Sequence, residues 1–348
     1  MAAGPSKSGV ARWSARFQAQ DPSQHFGAKC SRNGRAPEDV RLTETGPLSN
    51  VKYMSRFIFA AAASIAFSRA AAAQVPGRDL LEFPLGTLAE APALSRQMAA
   101  GLWNPAASVL ARGAQMRLGL AALTTPYEVG VNGKLLGGVF RVKDRITGAV
   151  SFTRVDVGDI FATENDPQSL GDAIRYGTSI LSLGASTTRG ASSYGIAARY
   201  RWGTTDTVTS GALSVDFGFI VDRLLSTPVR LAASTFLLTP GNSESSTLLF
   251  AADVPFPIRD STWTVRGGMS LEATEGRGNE AYLFTTAHFR QFDARVGLAQ
   301  SQAFGNINRR VRFGAGFAIG RYSVAISRED GAVGLGAQYQ FLLTSVFR

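Results

Sequence analysis

The residues able to do chemistry in this chain are arginines and carboxylates placed at alternate positions among small side chains. Arg199, Arg201, Arg230, Arg266, Arg295, Arg310 and Arg312 occupy a parity otherwise filled by Gly, Ala and Ser, and Asp216, Asp253, Glu272 and Asp293 share it. Guanidinium and carboxylate groups held on one face have two uses. They can pair and fill a narrow interior, or the arginines can form a basic constriction that attracts anionic solutes and fatty-acid carboxylates. The balance of both signs points to the paired interior. Catalysis has little to work with: His288 is the single histidine beyond residue 74, in the run Tyr282, Phe284, Thr286, His288. A lipid-modifying serine enzyme would need a serine beside that histidine and a polar group to orient it, and no local spacing supplies them. No His, Cys or carboxylate cluster has metal-ligand spacing, so neither metal nor cofactor is expected. Gly314–Gly320 (GAGFAIG) alternates like a strand with no helix after it, which excludes a dinucleotide loop.

The elements that must position these charges are strands. Tyr194, Ile196, Ala198, Tyr200 and Trp202 alternate with Gly195, Ala197, Arg199 and Arg201; Leu213, Val215, Phe217, Phe219 and Val221 alternate with Ser214, Asp216 and Gly218; Val311, Phe313, Ala315, Phe317 and Ile319 alternate with Arg310, Arg312, Gly314 and Gly316. A period of two is the mark of extended chain. A soluble β-sandwich also alternates, but its polar face meets bulk water and carries abundant Lys and Glu. Small residues with a few arginines suit a confined lumen instead. The expected fold is all-β: a transmembrane antiparallel up-and-down β-barrel.

Fourteen strands are expected, at 114–122, 135–142, 145–157, 174–186, 191–202, 210–221, 228–238, 246–254, 261–273, 280–289, 292–302, 309–319, 321–329 and 332–343, with twelve as the alternative. Their lengths suit tilted strands of about 9 to 11 residues crossing a bilayer. Turn signals separate them: Asn132-Gly133, Pro240-Gly241-Asn242, Gly276-Arg277-Gly278-Asn279, Gly305-Asn306 and Asp330-Gly331, the last with the residue types of a tight hairpin. Tyr200, Trp202, Trp263, Tyr282 and Tyr322 fall near strand ends and are expected in interfacial aromatic belts.

Composition agrees. Hydrophobic residues make up 45% of the chain, yet no apolar run reaches the roughly 20 residues of a spanning helix. The formal charge of +10 suggests nucleic acid until it is located. Residues 1–53 hold eight Lys or Arg against four Asp or Glu, and Arg56 and Arg69 follow, leaving 26 basic against 22 acidic residues, or +4. With no basic stripe or nucleic-acid motif, nucleic-acid binding is excluded. The one cysteine, Cys30, precedes the segment expected to be removed, so the mature chain has neither a disulfide nor a thiolate site.

Four regions follow. Residues 1–53 are polar, basic and aperiodic, as expected of an over-extended gene start or a disordered extension. Residues 54–73 read as an export signal: Met54-Ser55-Arg56, the apolar run Phe57–Phe67, then Ala70–Ala73 as a small-residue cleavage site. Residues 74–113 form a linker or plug with Pro76, Pro84 and Pro92 and a helix-compatible run from Pro92 to Leu102. Residues 114–348 are the barrel.

Two local phrases carry a resemblance. Trp103-Asn104-Pro105-Ala106, followed by Ala107 where glycine is common, resembles the phrase that leads into the first strand of the FadL-like and PorV-like outer-membrane barrel families. Physically the phrase is a corner: Pro105 sets a bend and Asn104 can bond its own turn. Gly336, Tyr339 and Phe341 have the spacing of the C-terminal β-signal read by the barrel assembly machinery, with Phe347 as an alternative terminal aromatic. The resemblance implies an outer-membrane location among outer-membrane lipids, assembly by that machinery, and an N-terminal plug. It further implies transport of hydrophobic or small solutes with a hydrophobic ligand, or, in the PorV-like alternative, a barrel that serves as a secretion or assembly partner.

Overall fold

The computed structural model describes residues 75–82, 84–96, 100–126, 130–158, 160, 174–224, 227–239, 244–258, 262–276, 278–303, 306–330 and 337–348. All belong to the compact unit Ser64–Arg348. The extension, the export signal and Cys30 lie outside the described residues, as does Gly336.

Alternation drives the chain into fourteen antiparallel strands: β1 (Met116–Thr124), β2 (Val131–Lys143), β3 (Ile146–Val157), β4 (Tyr176–Arg189), β5 (Ser192–Thr205), β6 (Val208–Val221), β7 (Arg230–Phe236), β8 (Thr247–Pro255), β9 (Trp263–Thr274), β10 (Gly278–Phe289), β11 (Phe292–Ala303), β12 (Asn306–Ile319), β13 (Tyr322–Asp330) and β14 (Ala337–Phe347). Each pairs with its sequence neighbours, and β14 pairs with β1 to close the barrel. The count expected from the alternation holds, and twelve is excluded.

The two parities face opposite media. Leu136, Leu213, Leu283 and Ile319 are 60% or more exposed, whereas Arg199 and Arg201 are 1% exposed. A sandwich would bury the first set and solvate the second. The inverted arrangement is that of a wall with hydrocarbon outside and a polar lumen inside. The four-residue helix Ala100–Trp103 is far too short to cross a membrane, and no described helix is long and apolar enough to do so.

Fourteen strands enclose a lumen wider than one that side chains alone fill, which closes at about eight strands. The described residues between 75 and 108 occupy it. Leu80, Leu81, Leu85, Leu88, Leu94, Leu102 and Trp103 of this segment pack with inward residues such as Leu123, Leu135, Ile180, Phe236 and Leu249 in one buried cluster. The expected helix over Pro92–Leu102 is reduced to a turn at 92–94 and the single turn Ala100–Trp103. Its backbone donors close short local turns instead, as Thr87 N to the Pro84 carbonyl, Glu90 N to the Thr87 carbonyl and Leu94 N to the Ala91 carbonyl.

Two local expectations are corrected by the filler. Asn132-Gly133 is not a turn but lies inside β2. Gly133 is there for space, since a Cβ would sit 3.2 Å from Leu123 Cβ and 3.5 Å from Leu85 Cδ2. Tyr282 is not a belt residue: it is 2% exposed, and its hydroxyl donates to the Ala89 carbonyl at 2.7 Å. On β10 the inward parity is aromatic because Tyr282 and Phe284 pack in the internal apolar cluster, so hydrophobicity there does not mark the lipid face. Trp263, Tyr200 and Tyr322 are 44%, 47% and 43% exposed on the outer wall, and Trp202 stacks on Tyr200 with centroids 5.5 Å apart.

The Trp103-Asn104-Pro105-Ala106 corner sits on a glycine pair. Gly195 of β5 and Gly218 of β6 are direct cross-strand partners. A Cβ on Gly218 would collide with Asn104 Oδ1, and one on Gly195 with the Pro105 backbone. Replacing Gly218 by Ala is therefore expected to destabilise the barrel by about 1–3 kcal/mol in urea unfolding from vesicles, as overpacking does. Gly184→Ala, whose Cβ would meet only ordinary contacts at 3.4 Å and beyond, serves as the tolerated control.

Candidate functional site

The site is built on three levels: the corner, the lumen charges and the wall between β6 and β7. At the corner Asn104 is fully buried. Its Oδ1 accepts from Ala106 N at 2.9 Å and its Nδ2 donates to the Ala93 carbonyl at 2.6 Å. Trp103 Nε1 donates to the Leu85 carbonyl at 3.0 Å, and its ring lies 4.7 Å from Phe236. Pro105 and Ala106 are buried beside them. The four residues thus bind the returning limb of the plug to its descending limb and to the wall.

The lumen charges are paired. Arg199 meets Asp216 at 2.8 Å with both side chains fully buried. Arg201 meets Glu244 at 2.7 Å and donates to the carbonyls of Val75 and Pro76 at 2.7 and 2.8 Å, so one guanidinium clamps the start of the plug. Burial pushes the Glu244 carboxyl above its ordinary range, and Arg201 pulls it back. Asp253 holds both Arg230 and Arg266. Arg295 bridges Asp293 at 2.8 Å to Glu90 of the plug at 3.5 Å. Arg310 and Arg312 both pair with Glu280 and Glu329. Glu272 faces Glu280 directly across β9 and β10 and makes no ion pair among the described residues.

Sequence reasoning missed four of the seven acids in these pairs. Glu280 and Glu329 lie on the inward parity of β10 and β13, so the signal was present in the same alternation. Glu90, Arg78 and Glu244 lie outside the strands, where no period reveals a face. Arg78 donates to Thr247 Oγ1 at 2.6 Å and its guanidinium stands 5.5 Å from the Phe236 ring centroid, opposite Arg199 at 4.9 Å.

At the end where β1 begins, a recess of about 920 Å³ opens beside Val109, Arg112, Gln115, Arg141, Arg145 and Thr188. One layer deeper, between Gly101, Pro105 and Ser108 of the plug and Ala149, Ser182 and Gly184 of the wall, about 10 Å³ is left, the room of a single water.

The wall itself is interrupted. β6 and β7 share only the pairs Gly218↔Ser234 to Val221↔Leu231, although β6 continues back to Val208. Beyond Ser234 the seam is stitched by other groups. Thr235 Oγ1 accepts from Phe217 N at 2.9 Å, and Asp216 accepts from Leu237 N and Leu238 N at 3.1 and 2.9 Å. Leu237 adopts φ +57°, and past it Val215 N still donates to the Leu238 carbonyl at 3.0 Å. Asp216 therefore does double duty as ion-pair partner of Arg199 and as a substitute for lost strand acceptors.

Of the expected β-signal, Tyr339, Phe341 and Phe347 share the outer parity of β14, whose strand runs through Phe347. His288 has lumen parity at the rim, opposite Asp293 of β11.

No protein-family model matches the chain, and no curated protein matches it. Solved structures do. A structure described as the CymD monoaromatic hydrocarbon channel superposes with TM-score 0.52 at 12% identity, covering 79% of this chain and 98% of its own. The toluene transporter TodX of P. putida superposes with TM-score 0.51 at 13% identity, covering 72% and 94%. The likeness is one of fold: a closed fourteen-stranded β-barrel. For the charge network, Asp253→Asn leaves two guanidiniums without their acid and is expected to cost about 3–5 kcal/mol in urea unfolding. Arg230→Gln should cost distinctly less, because Arg230 is 27% exposed and Arg266 keeps Asp253 paired.

Proposed function

We propose that the protein is an outer-membrane channel for small hydrophobic solutes that leave the barrel sideways, through the seam between β6 and β7. The observation that carries this reading is the ladder that stops at Gly218 while β6 runs on for ten more residues to Val208. An apolar solute gains nothing from an aqueous axial path, and the plug and paired arginines fill the lumen against one. A break in the wall, edged by the outward Leu213, Val215 and Phe217, offers an apolar solute direct access to hydrocarbon. The neighbours named as a monoaromatic hydrocarbon channel and a toluene transporter support small apolar substrates as the class. In this reading residues 54–73 are the cleaved export signal, β14 carries the assembly signal, and the lumen charges hold the plug instead of selecting anions.

The test joins the edges of the seam. Val215 N donates to the Leu238 carbonyl at 3.0 Å, so cysteines at these two positions can be cross-linked. In proteoliposomes, oxidised Val215→Cys/Leu238→Cys protein is expected to lose uptake of labelled toluene and to regain it on reduction. Unchanged uptake in the cross-linked form would exclude the seam as the route. In planar bilayers the wild-type protein should pass no ohmic ion current; a steady anion-selective conductance would instead assign the arginines to an open pore.

A further inference from the structure

We infer that the rim at which β1 begins is a docking ring for anionic glycerophospholipid headgroups, formed by five arginines at or beside the connections between strands. This rests on the transmembrane reading above and goes beyond transport. At that rim the β2–β3 connection carries Arg145, β6–β7 Arg223, β10–β11 Arg290 and β12–β13 Arg321, and β4 ends on Arg189, all exposed. The β8–β9 connection lies partly outside the described residues. The acids in these connections are Asp144 and Asp222, and Asp222 is held by Arg96 of the plug at 2.9 Å. Among the described residues, the connections at the opposite rim contain Arg175 against Asp206, Glu244 and Glu275. A turn needs no arginine for its own geometry, so this recurrence points to a partner outside the chain.

The second observation is where the guanidiniums lie. Arg290 stands 5.3 Å from the Phe289 ring centroid, and Phe289 stacks on Trp263 at 4.5 Å. Arg321 stands 4.9 Å from Tyr322 and 5.5 Å from Phe347. These rings belong to the outer parity, continued by Phe292 against Phe317 at 4.8 Å. An aromatic girdle marks the level where hydrocarbon meets headgroups. A guanidinium stacked on it presents its remaining N–H groups at phosphodiester height, with the fork geometry that binds phosphate oxygens in pairs. Basic residues held at such a surface attract anionic lipid within a Debye length. The occupant is therefore the phosphate-bearing glycerolipid of the leaflet at that rim.

The test uses the full chain and a variant in which Arg145, Arg189, Arg223, Arg290 and Arg321 are all replaced by Gln. Delipidated protein in neutral detergent is titrated with phosphatidylglycerol, phosphatidylcholine or lipid A, and retained lipid is read by native mass spectrometry. Wild-type protein should retain phosphatidylglycerol over phosphatidylcholine by at least about five-fold, the worth of one well-placed basic residue. The preference should vanish in the five-fold variant and at high salt, and survive in Asp206→Gln/Glu275→Gln. An equal preference in the five-fold variant overturns the proposal, as does retention of lipid A over phosphatidylglycerol through the same arginines. Arg145→Cys in intact cells should react with an impermeant maleimide only after permeabilisation; labelling of intact cells would place the ring in the other leaflet and also overturn it. Failure of the transmembrane reading would be seen separately, as protein that stays soluble without detergent.

Discussion

Closure of the sheet is the constraint on which everything else rests. Nine register pairs, from Met116↔Phe347 to Thr124↔Tyr339, join the last strand to the first, and Gln115 N extends the seam by donating to the Phe347 carbonyl at 2.8 Å. In hydrocarbon an unpaired backbone group costs several kcal/mol, so a sheet can face lipid only when its edges are joined. Once they are, the chain may place leucine and phenylalanine outward and arginine inward, the reverse of a soluble protein. The exposed apolar wall follows from the hydrogen bonds rather than competing with them.

Closure at fourteen strands creates a second problem, a lumen too wide for its own side chains. The protein solves it with the described residues between 75 and 108, and the solution dictates the character of the inward parity. Where the filler is apolar the wall answers with Leu123, Leu135, Ile180 and Phe284; where the filler's carbonyls need donors, as at Val75 and Pro76, the wall supplies Arg201. Glycines appear where the filler comes closest. Buried charges are costly unless paired, and Arg199, Arg201, Arg230, Arg266, Arg295, Arg310 and Arg312 each meet an acid from the wall, the plug or the β7–β8 connection.

The seam between β6 and β7 is the exception that closure permits. Here the ladder is replaced for part of its length by Asp216, Thr235 and a left-handed Leu237. These are side-chain acceptors, and they satisfy the nearby donors without the cooperative regularity of a full ladder. The same carboxylate holds Arg199, which ties the integrity of the wall at this place to the charge state of the lumen. A wall that can part at one line, around a lumen that is filled, suits a solute that prefers lipid to water.

The alternation of side chains determined a good deal by itself. A period of two survives every tertiary detail because neighbouring residues of a strand must point to opposite sides, so strand number, wall polarity and the inward facing of Arg199, Asp216 and Arg312 were legible along the chain. Other features belong to contacts between distant residues. Tyr282 faces inward because the plug offers it a carbonyl, Gly133 lies within a strand because Leu85 needs room, and Glu244 and Glu90 become partners of wall arginines from segments with no period at all. The break at Gly218 is likewise invisible in sequence, since β6 alternates without interruption through the point where its neighbour departs. Only the folded barrel decides these, because each depends on what the closed wall encloses.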